Sequence, residues 1–411
     1  MKIIKALLVF TLITNLVSAQ NDTSTPYSIF GLGVENKTAS GGLTGLGNTG
    51  IAQNKPGEIN LYNPASLGQI ELKTFLYEFG INGMSSTIKT NYLSENTTDF
   101  NISHVIMAFP VNKNLGLSFG LLPYTKVGYD IDLEQYIEGS ETSYTNRITG
   151  SGGLTKFYVA GGFNITKALS LGVDLTYLFG SINQESNIYY ESLVNITDEN
   201  QYRGFKFKTG LQYNILKQDN LNVNLGGVLE LPAHLKGNQL RSSNKTLTTG
   251  TYMIIESDEP YDLGDFELPL TYGFGVTSTF NNTLTTSFDF TKLNWNDTNQ
   301  SINKESYTNQ SIYAFGAEYS PITKKSYWSN VDYRFGLNYN TGFLTIADTQ
   351  IDSYFVSAGL GLPLSDRAKL NIAYSYGTEG TVNNDLVAEN YHKLTLNLSF
   401  IGSWFNKTKY N

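Results

Sequence analysis

The segment LSLGVDLTYLFG alternates with a period of two: Leu169, Leu171, Val173, Leu175, Tyr177 and Phe179 stand against Ser170, Gly172, Asp174, Thr176, Leu178 and Gly180. Successive side chains of an extended chain point to opposite faces, so one face here is apolar and the other mostly small or polar. The same period recurs near residues 73 to 84, 100 to 111, 115 to 130, 154 to 165, 169 to 182, 202 to 215 and 221 to 232. It continues near 268 to 280, 283 to 293, 310 to 320, 327 to 340, 351 to 362, 367 to 377 and 391 to 401. These segments predict 14 strands, an even number, as in bacterial membrane barrels. Most have the roughly 9 to 11 residues, or somewhat more, that a tilted membrane strand needs.

Such strands suit a soluble sandwich or a membrane barrel, and connection lengths decide between them. Short links occur at NKN (112 to 114), TKA (166 to 168), KQDN (217 to 220), NN (281 to 282), PITKKS (321 to 326) and PLSD (363 to 366). The links between them are long, as at residues 131 to 153, 183 to 201, 233 to 267 and 294 to 309. Alternation of this kind separates periplasmic turns from extracellular loops in an up-and-down barrel, and a Greek-key sandwich has no reason to produce it. The expected fold is therefore all-β: a transmembrane antiparallel barrel of about 14 strands over residues 73 to 401, in the bacterial outer membrane. The first link, residues 85 to 99, is long and thus extracellular, which puts both termini in the periplasm.

Composition agrees, because 28 Tyr, 23 Phe and 39 Gly against 10 Pro favour strands and turns. The chain opens with Lys2 and Lys5, an apolar run from 6 to 17 and the small residues Ser18 and Ala19, which reads as a secretory signal peptide over residues 1 to 19. Without it, 26 basic residues face 36 acidic ones, a net charge of −10 that gives no support to nucleic-acid binding. The absence of cysteine excludes disulfides, thiolate ligands and a cysteine nucleophile. His104, His234 and His392 show no ligand spacing, so no metal or cofactor is expected.

One motif interrupts this picture. Gly45-Leu46-Gly47-Asn48-Thr49-Gly50 spells G-x-G-x-x-G, and Glu71 lies about where a ribose-binding acid would sit in a dinucleotide fold. The fingerprint works only between a strand and a helix. Here the polar, glycine-rich FGLGVENKTASG precedes it, and Pro56 and Pro64 would break any helix on its C-terminal side. Residues 20 to 72 nevertheless carry Ile29, Phe30, Leu32, Leu43, Leu46, Ile51, Leu61, Tyr62 and Leu67, which need cover. A 14-stranded barrel is too wide for its own side chains to fill. This segment is therefore expected to enter the barrel as a hatch or plug, its glycines allowing tight turns and close approach to the wall.

The alternation puts Glu78, Asp174, Lys206, Lys208, Glu230, Asp289, Glu318, Asp332, Arg334 and Lys369 on the lumen face. Acids and bases there are expected to pair across strands and with the plug, ahead of a transport role and well ahead of catalysis. No nucleophile with a base can be identified by spacing, and Ser66 in NPASLGQ lacks the nucleophile elbow, so no enzyme is expected.

GGLTGLGNTGIAQ followed by INLYNPASLGQI resembles the N-terminal hatch of FadL-type outer-membrane proteins, where a glycine-rich run precedes an Asn-Pro-Ala triplet. On that resemblance Gly45, Gly47 and Gly50, with Asn63, Pro64 and Ala65, are hatch residues. LSFGLLPYTKVGY, LGVDLTYLFGSI, FGAEYSP, YRFGLNY and AGLGLPLSDRAKLNIAYSYGTEGT look like the same family in its Bacteroidota branch, so the resemblance spans nearly the whole chain. The terminal LTLNLSF resembles an outer-membrane insertion signal, although the tail IGSWFNKTKYN extends beyond it. The family resemblance implies a barrel that admits hydrophobic molecules, a hatch that blocks the lumen, and a kink in the third strand that opens a lateral exit. Proline cannot donate to the ladder, which makes Pro123 and Tyr124 the candidate kink, with a proline at the barrel rim as the alternative. Strands two, three and four fully paired on both sides of Pro123 would remove that assignment. The leading reading is uptake of an apolar small molecule such as a fatty acid or aromatic compound. A non-transporting subunit bound to envelope proteins in a secretion or assembly complex comes second, and a purely structural barrel third.

Overall fold

The computed structural model describes residues 25–36, 39–139, 141–299, 307–321, 326–346 and 348–403. The signal peptide expected over residues 1 to 19 and most of the expected tail lie outside them.

A short strand β1 (Val34–Glu35) precedes the barrel. The first half of the wall contains β2 (Thr74–Lys89), β3 (Ser94–Pro110), β4 (Leu115–Pro123), β5 (Thr125–Tyr136), β6 (Ser143–Asn164), β7 (Leu169–Tyr190), β8 (Ser192–Lys217) and β9 (Leu221–Glu230). A hairpin, β10 (Ala233–Leu247) and β11 (Tyr252–Leu268), comes next. The second half contains β12 (Thr271–Phe280), β13 (Leu284–Leu293), β14 (Gln310–Tyr319) and β15 (Asp332–Asn340). After a minor hairpin, β16 (Thr345–Ile346) and β17 (Thr349–Gln350), the wall finishes with β18 (Ser353–Ser365), β19 (Ala368–Gly380) and β20 (Ala388–Ser403).

Neighbours pair antiparallel, and β20 pairs with both β19 and β2, which closes the sheet. With β4 and β5 counted as two halves of one strand, and the β10–β11 hairpin set aside, the closed barrel has 14 strands. Closure removes most sheet edges, so the greater part of the wall's backbone needs no water. The period-two pattern sorts side chains cleanly on β15: Asp332, Arg334, Gly336, Asn338 and Asn340 are buried, while Tyr333, Phe335, Leu337 and Tyr339 are exposed. The buried face is polar and the exposed face apolar, the inverse of a water-soluble sandwich.

Four expected loops need correction, the first being residues 85 to 99, which mostly continue β2 and β3 and leave only residues 90 to 93 as the link. Residues 131 to 153 and 183 to 201 mostly continue the strands, giving β6 and β7 22 residues each and β8 26, and residues 233 to 267 form most of the β10–β11 hairpin. A membrane strand uses only about 9 to 11 residues, so β5 to β8 rise past the barrel as a wall on one side. Here β8 pairs with β10 rather than β9, and β11 is its last strand. At its base this extension packs Ile131, Ile148, Leu235 and Phe266 into an apolar cluster, and above that it is held by polar cross-strand contacts. Asn195 Nδ2 donates to Asn187 Oδ1 at 3.0 Å, Asn244 Nδ2 to Asn195 Oδ1 at 3.2 Å, and Arg241 forks onto Asp198 at 2.6 and 2.9 Å. Residues 327 to 330, expected to begin a strand, form a 3-10 turn instead, because the Ser326 and Ser329 side chains cap it reciprocally.

Candidate functional site

Residues 25 to 72 contain two of the short 3-10 turns that organise the lumen, Leu43–Leu46 and Pro64–Gln69, and no long element. Glycines and prolines prevent a longer helix, and Asn63 caps the second turn by accepting from the Ala65 amide at 3.0 Å. The segment packs on the inward faces of strands on opposite sides of the barrel.

Its seat is made by glycines of the wall. Gly116 pairs with Gly162, Gly162 with Gly172, and Gly172 with Gly210, giving an in-register row across β4, β6, β7 and β8. The backbone of residues 63 to 68 lies on that row. A Cβ at Gly172 would stand 2.3 Å from Ala65 N and Pro64 C, and one at Gly116 only 2.0 Å from the Leu67 carbonyl oxygen. A Cβ at Gly210 would meet Asn63 Oδ1 at 2.0 Å. A second seat pairs Gly316 with Gly336, where a Cβ at Gly336 would fall 1.9 Å from Gly47 N. There Gly47 turns with φ of 66°, its amide donates to Ser357 Oγ at 3.2 Å, and Asn338 Nδ2 donates to its carbonyl at 3.0 Å. Gly45 lies in the preceding turn against Gly359.

The G-x-G-x-x-G motif does meet an anion, but the anion belongs to the wall. The amides of Gly50 and Ile51 both donate to Asp289 Oδ2, at 2.6 and 2.9 Å. Asn63 Nδ2 donates to the Ile51 carbonyl at 2.7 Å, Gln212 Nε2 to the carbonyls of Ile51 and Gln53 at 3.1 and 2.9 Å, and Asn224 Nδ2 to that of Ala52 at 3.0 Å. Across the lumen, Glu78 accepts from the Gly41 amide, from Ser399 Oγ at 2.9 Å, and bonds His104 Nε2 at 2.8 Å. Hydrogen bonds to a charged group are worth about 1.5 to 3 kcal/mol. Asp289→Ala is therefore expected to loosen residues 50 to 53. Limited proteolysis should cut there in the variant and spare the wild type; equal resistance would show that the two amide bonds contribute nothing.

The predicted lumen charges fall into separate clusters rather than one centre. In the first, Arg334 Nε bonds Glu318 at 2.6 Å and its Nη2 approaches Asp332 at 3.1 Å and Glu58 at 3.6 Å. Lys55 reaches Glu318 at 2.8 Å and Asp332 at 3.2 Å, and Lys369 reaches Asp332 at 2.7 Å. Three cations thus meet three carboxylates, and the N-terminal segment contributes one of each. Burial by itself would raise the Glu58 carboxyl, but Lys55, Lys369 and Arg334 outweigh it and hold the group at about 2. Burial would lower the Lys55 ammonium, and its acidic neighbours, Glu58 first, hold it above its ordinary value. Lys55 and Glu58 escaped sequence reasoning because periodicity assigns faces only within strands.

In the second cluster Glu230 pairs with Lys206 and lies 3.8 Å from Lys208, whose Nζ donates to the Leu61 carbonyl at 3.0 Å. Asp174 accepts from Thr176 Oγ1 at 2.8 Å. These groups, with Lys156 and Tyr124, line a cavity of about 210 Å³ between segment and wall. Its lining carries six charged wall side chains, Asp289 among them, so it is not an apolar tunnel. Among the described residues no group of His, Asp and Glu could hold a metal ion.

At the candidate kink, β3 and β4 pair from Pro110↔Gly116 to Val105↔Leu121 and no further. Strand β4 pairs with β6 as far as Pro123↔Thr155, and β5 resumes at Val127↔Gly152. On its other edge β5 pairs with β1, through Val34↔Lys126 and Glu35↔Thr125, instead of with β3. The Asn36 amide donates to the Tyr124 carbonyl at 2.8 Å, and a Lys126–Asp99 ion pair spans the gap to β3. Full pairing of strands two, three and four on both sides of Pro123 is therefore not observed.

A family model described as BamG matches residues 1–411. No curated protein matches the chain. Among solved structures, the CymD monoaromatic hydrocarbon channel is 14% identical with a TM-score of 0.61, covering 91% of this chain and 99% of that one. The Ralstonia pickettii toluene transporter TbuX is 14% identical with a TM-score of 0.60, covering 89% and 98%. A Pseudomonas aeruginosa FadL homologue is 12% identical with a TM-score of 0.60, covering 89% and 98%. At these identities the likeness is one of fold: a FadL-like β-barrel.

Proposed function

We propose that this chain, which belongs to the BamG family, is a plugged outer-membrane barrel that serves as a subunit of an envelope protein assembly complex. The observation that carries this reading is the seat of the N-terminal segment. Its backbone lies against glycine backbone at residues 47 and 63 to 68, and its Lys55 and Glu58 complete a buried charge cluster. Releasing it would uncover both glycine rows, take Lys55 from Glu318 and Asp332, and take Glu58 from Arg334 and Lys369, which makes it a fixed plug rather than a gate. In this reading both termini are periplasmic, the exposed apolar band that includes Val173, Phe207 and Phe335 faces lipid, and the tall β5–β8 wall stands outside the cell.

A second reading, uptake of a fatty acid or aromatic compound with lateral release beside Pro123, is favoured by the unpaired stretch between β3 and β5. The charged lining of the adjoining cavity opposes it, since a ligand site for an apolar molecule is mostly apolar with few polar groups.

The subunit reading predicts that the chain, extracted from native outer membranes in mild detergent, carries envelope proteins at near-stoichiometric amounts. It also predicts no steady conductance in planar bilayers. An apolar small molecule bound at near-stoichiometric level, with no protein companions, would reverse the order of the two readings.

A further inference from the structure

The tall wall ends on β11, and the upper part of that strand is paired on one side only. Its partner is β10, through Thr246↔Tyr252, Lys245↔Met253, Asn244↔Ile254 and Ser243↔Glu256. Among the described residues no backbone hydrogen bond reaches the other edge between residues 252 and 263. Lower down the edge is covered, where the Asn299 side chain donates to the Asp265 carbonyl at 3.2 Å.

An open edge offers unpaired N–H and C=O groups to any extended chain, and proteins usually blunt it with lysine, proline or a bulge. Three such devices are present, a bulge at Ile255, Asp258 at φ of 51° and Pro260. Asp258 and Pro260 lie below residues 252 to 256, and the bulge interrupts this window only at Ile255, so Tyr252 to Ile254 keep a regular open edge. The window also carries Tyr252, Met253, Ile254 and Ile255, all at least 50% exposed. Around it stand Glu256, Asp258, Glu259 and Asp262. Of the two hairpin cations nearby, Arg241 is engaged by Asp198, which leaves Lys245 against four acids.

We infer that residues 252 to 256 of β11 receive an extended segment of a partner protein, rich in lysine or arginine and carrying aliphatic side chains, which adds a strand to the wall. Main-chain hydrogen bonds supply affinity, and the exposed aliphatic and acidic side chains select the sequence. A second copy of this chain would bring the same four acids to the contact, so like charge opposes self-pairing. The inference rests on the subunit reading and specifies where and how one partner docks.

The test uses the full-length chain in detergent and a labelled ten-residue peptide of alternating lysine and valine. Binding is expected, with at least a ten-fold loss when alternate peptide nitrogens are methylated, since methylation removes the donors but keeps the charge. A loss of similar size is expected in Glu256→Lys/Glu259→Lys, provided that the variant keeps the heat-modifiable gel mobility of a folded barrel. No binding, or equal binding of the methylated peptide, would overturn the strand addition. Envelope proteins that copurify undiminished with the double variant would overturn this docking site and leave the subunit reading standing. Peptide binding with the expected losses, in a chain that brings no envelope protein from the membrane, would uphold the edge and sink the subunit reading.

Discussion

Gly172→Ala is expected to dislodge the N-terminal segment, although it adds a single methyl group. The new Cβ would lie 2.3 Å from Ala65 N and Pro64 C, and neither backbone atom can swing away as a side-chain tip could. Gly162 and Gly210, its partners on either side, are equally occupied, so a shift along the row meets the same obstruction. Overpacking typically costs about 1 to 3 kcal/mol, occasionally more, and a contact with fixed backbone belongs at the upper end. The barrel strands keep their pairing, so the cost falls on the segment. Limited proteolysis should then cut between residues 50 and 70, and planar bilayers should show a conductance that the wild type lacks. Gly227→Ala is the matched control, because a Cβ there meets only the Gly273 carbonyl oxygen, at 4.0 Å. Identical behaviour of the two variants would mean that the segment is not held by the glycine row.

The strands were legible because each carries its own evidence. On β15, Tyr333, Phe335, Leu337 and Tyr339 announce a lipid face without reference to any partner. The extensions of β7 and β8 were not legible, since Asn187 and Asn195 carry no period-two signal and gain partners only when the strands, with Asn244 of β10, lie side by side. The glycine row was hidden for a related reason. Each of Gly116, Gly162, Gly172 and Gly210 occupies an ordinary small-residue position on an inward face, and only the register brings them side by side. The motif at residues 45 to 50 was visible and ambiguous: glycine amides that can hold a phosphate can equally hold Asp289, and the sequence does not say which carboxylate comes near. Arg334, Asp332 and Glu318 were visible as lumen charges, whereas Lys55 and Glu58 lie in a segment with no periodicity. The interruption at Tyr124 was signalled by Pro123, but β1 taking the place of β3 along β5 had no local sign.

The larger energetic effect is expected from Arg334→Met, which keeps much of the side chain's volume and removes its charge. Arg334 is buried, and it bonds Glu318 through Nε at 2.6 Å, Asn371 through Nη1 at 2.8 Å and Asp332 through Nη2 at 3.1 Å. Without it, three carboxylates face only Lys55 and Lys369. Breaking a buried ion pair by removing one partner costs about 3 to 5 kcal/mol, because the remaining charge stays desolvated. Arg334→Lys should recover only part of this, since one ammonium cannot reproduce a fork aimed at three acceptors. Acid gives the discriminating measurement. In the wild type Glu58 is held at about 2, below its ordinary 4.5, so its contribution to stability is complete above pH 4.5 and is lost as pH falls toward 2. Removing a cation lets the crowded carboxylates take up protons at higher pH, which relieves the variant's excess charge. The stability gap between wild type and Arg334→Met, measured by urea unfolding in micelles, is thus expected to be widest near pH 7 and to narrow toward pH 4. A gap that stays constant with pH would assign Arg334 a packing role. A narrowing gap means that the plug is locked by charge, and that its Lys55 and Glu58 are as much part of the lumen wall as the strands they touch.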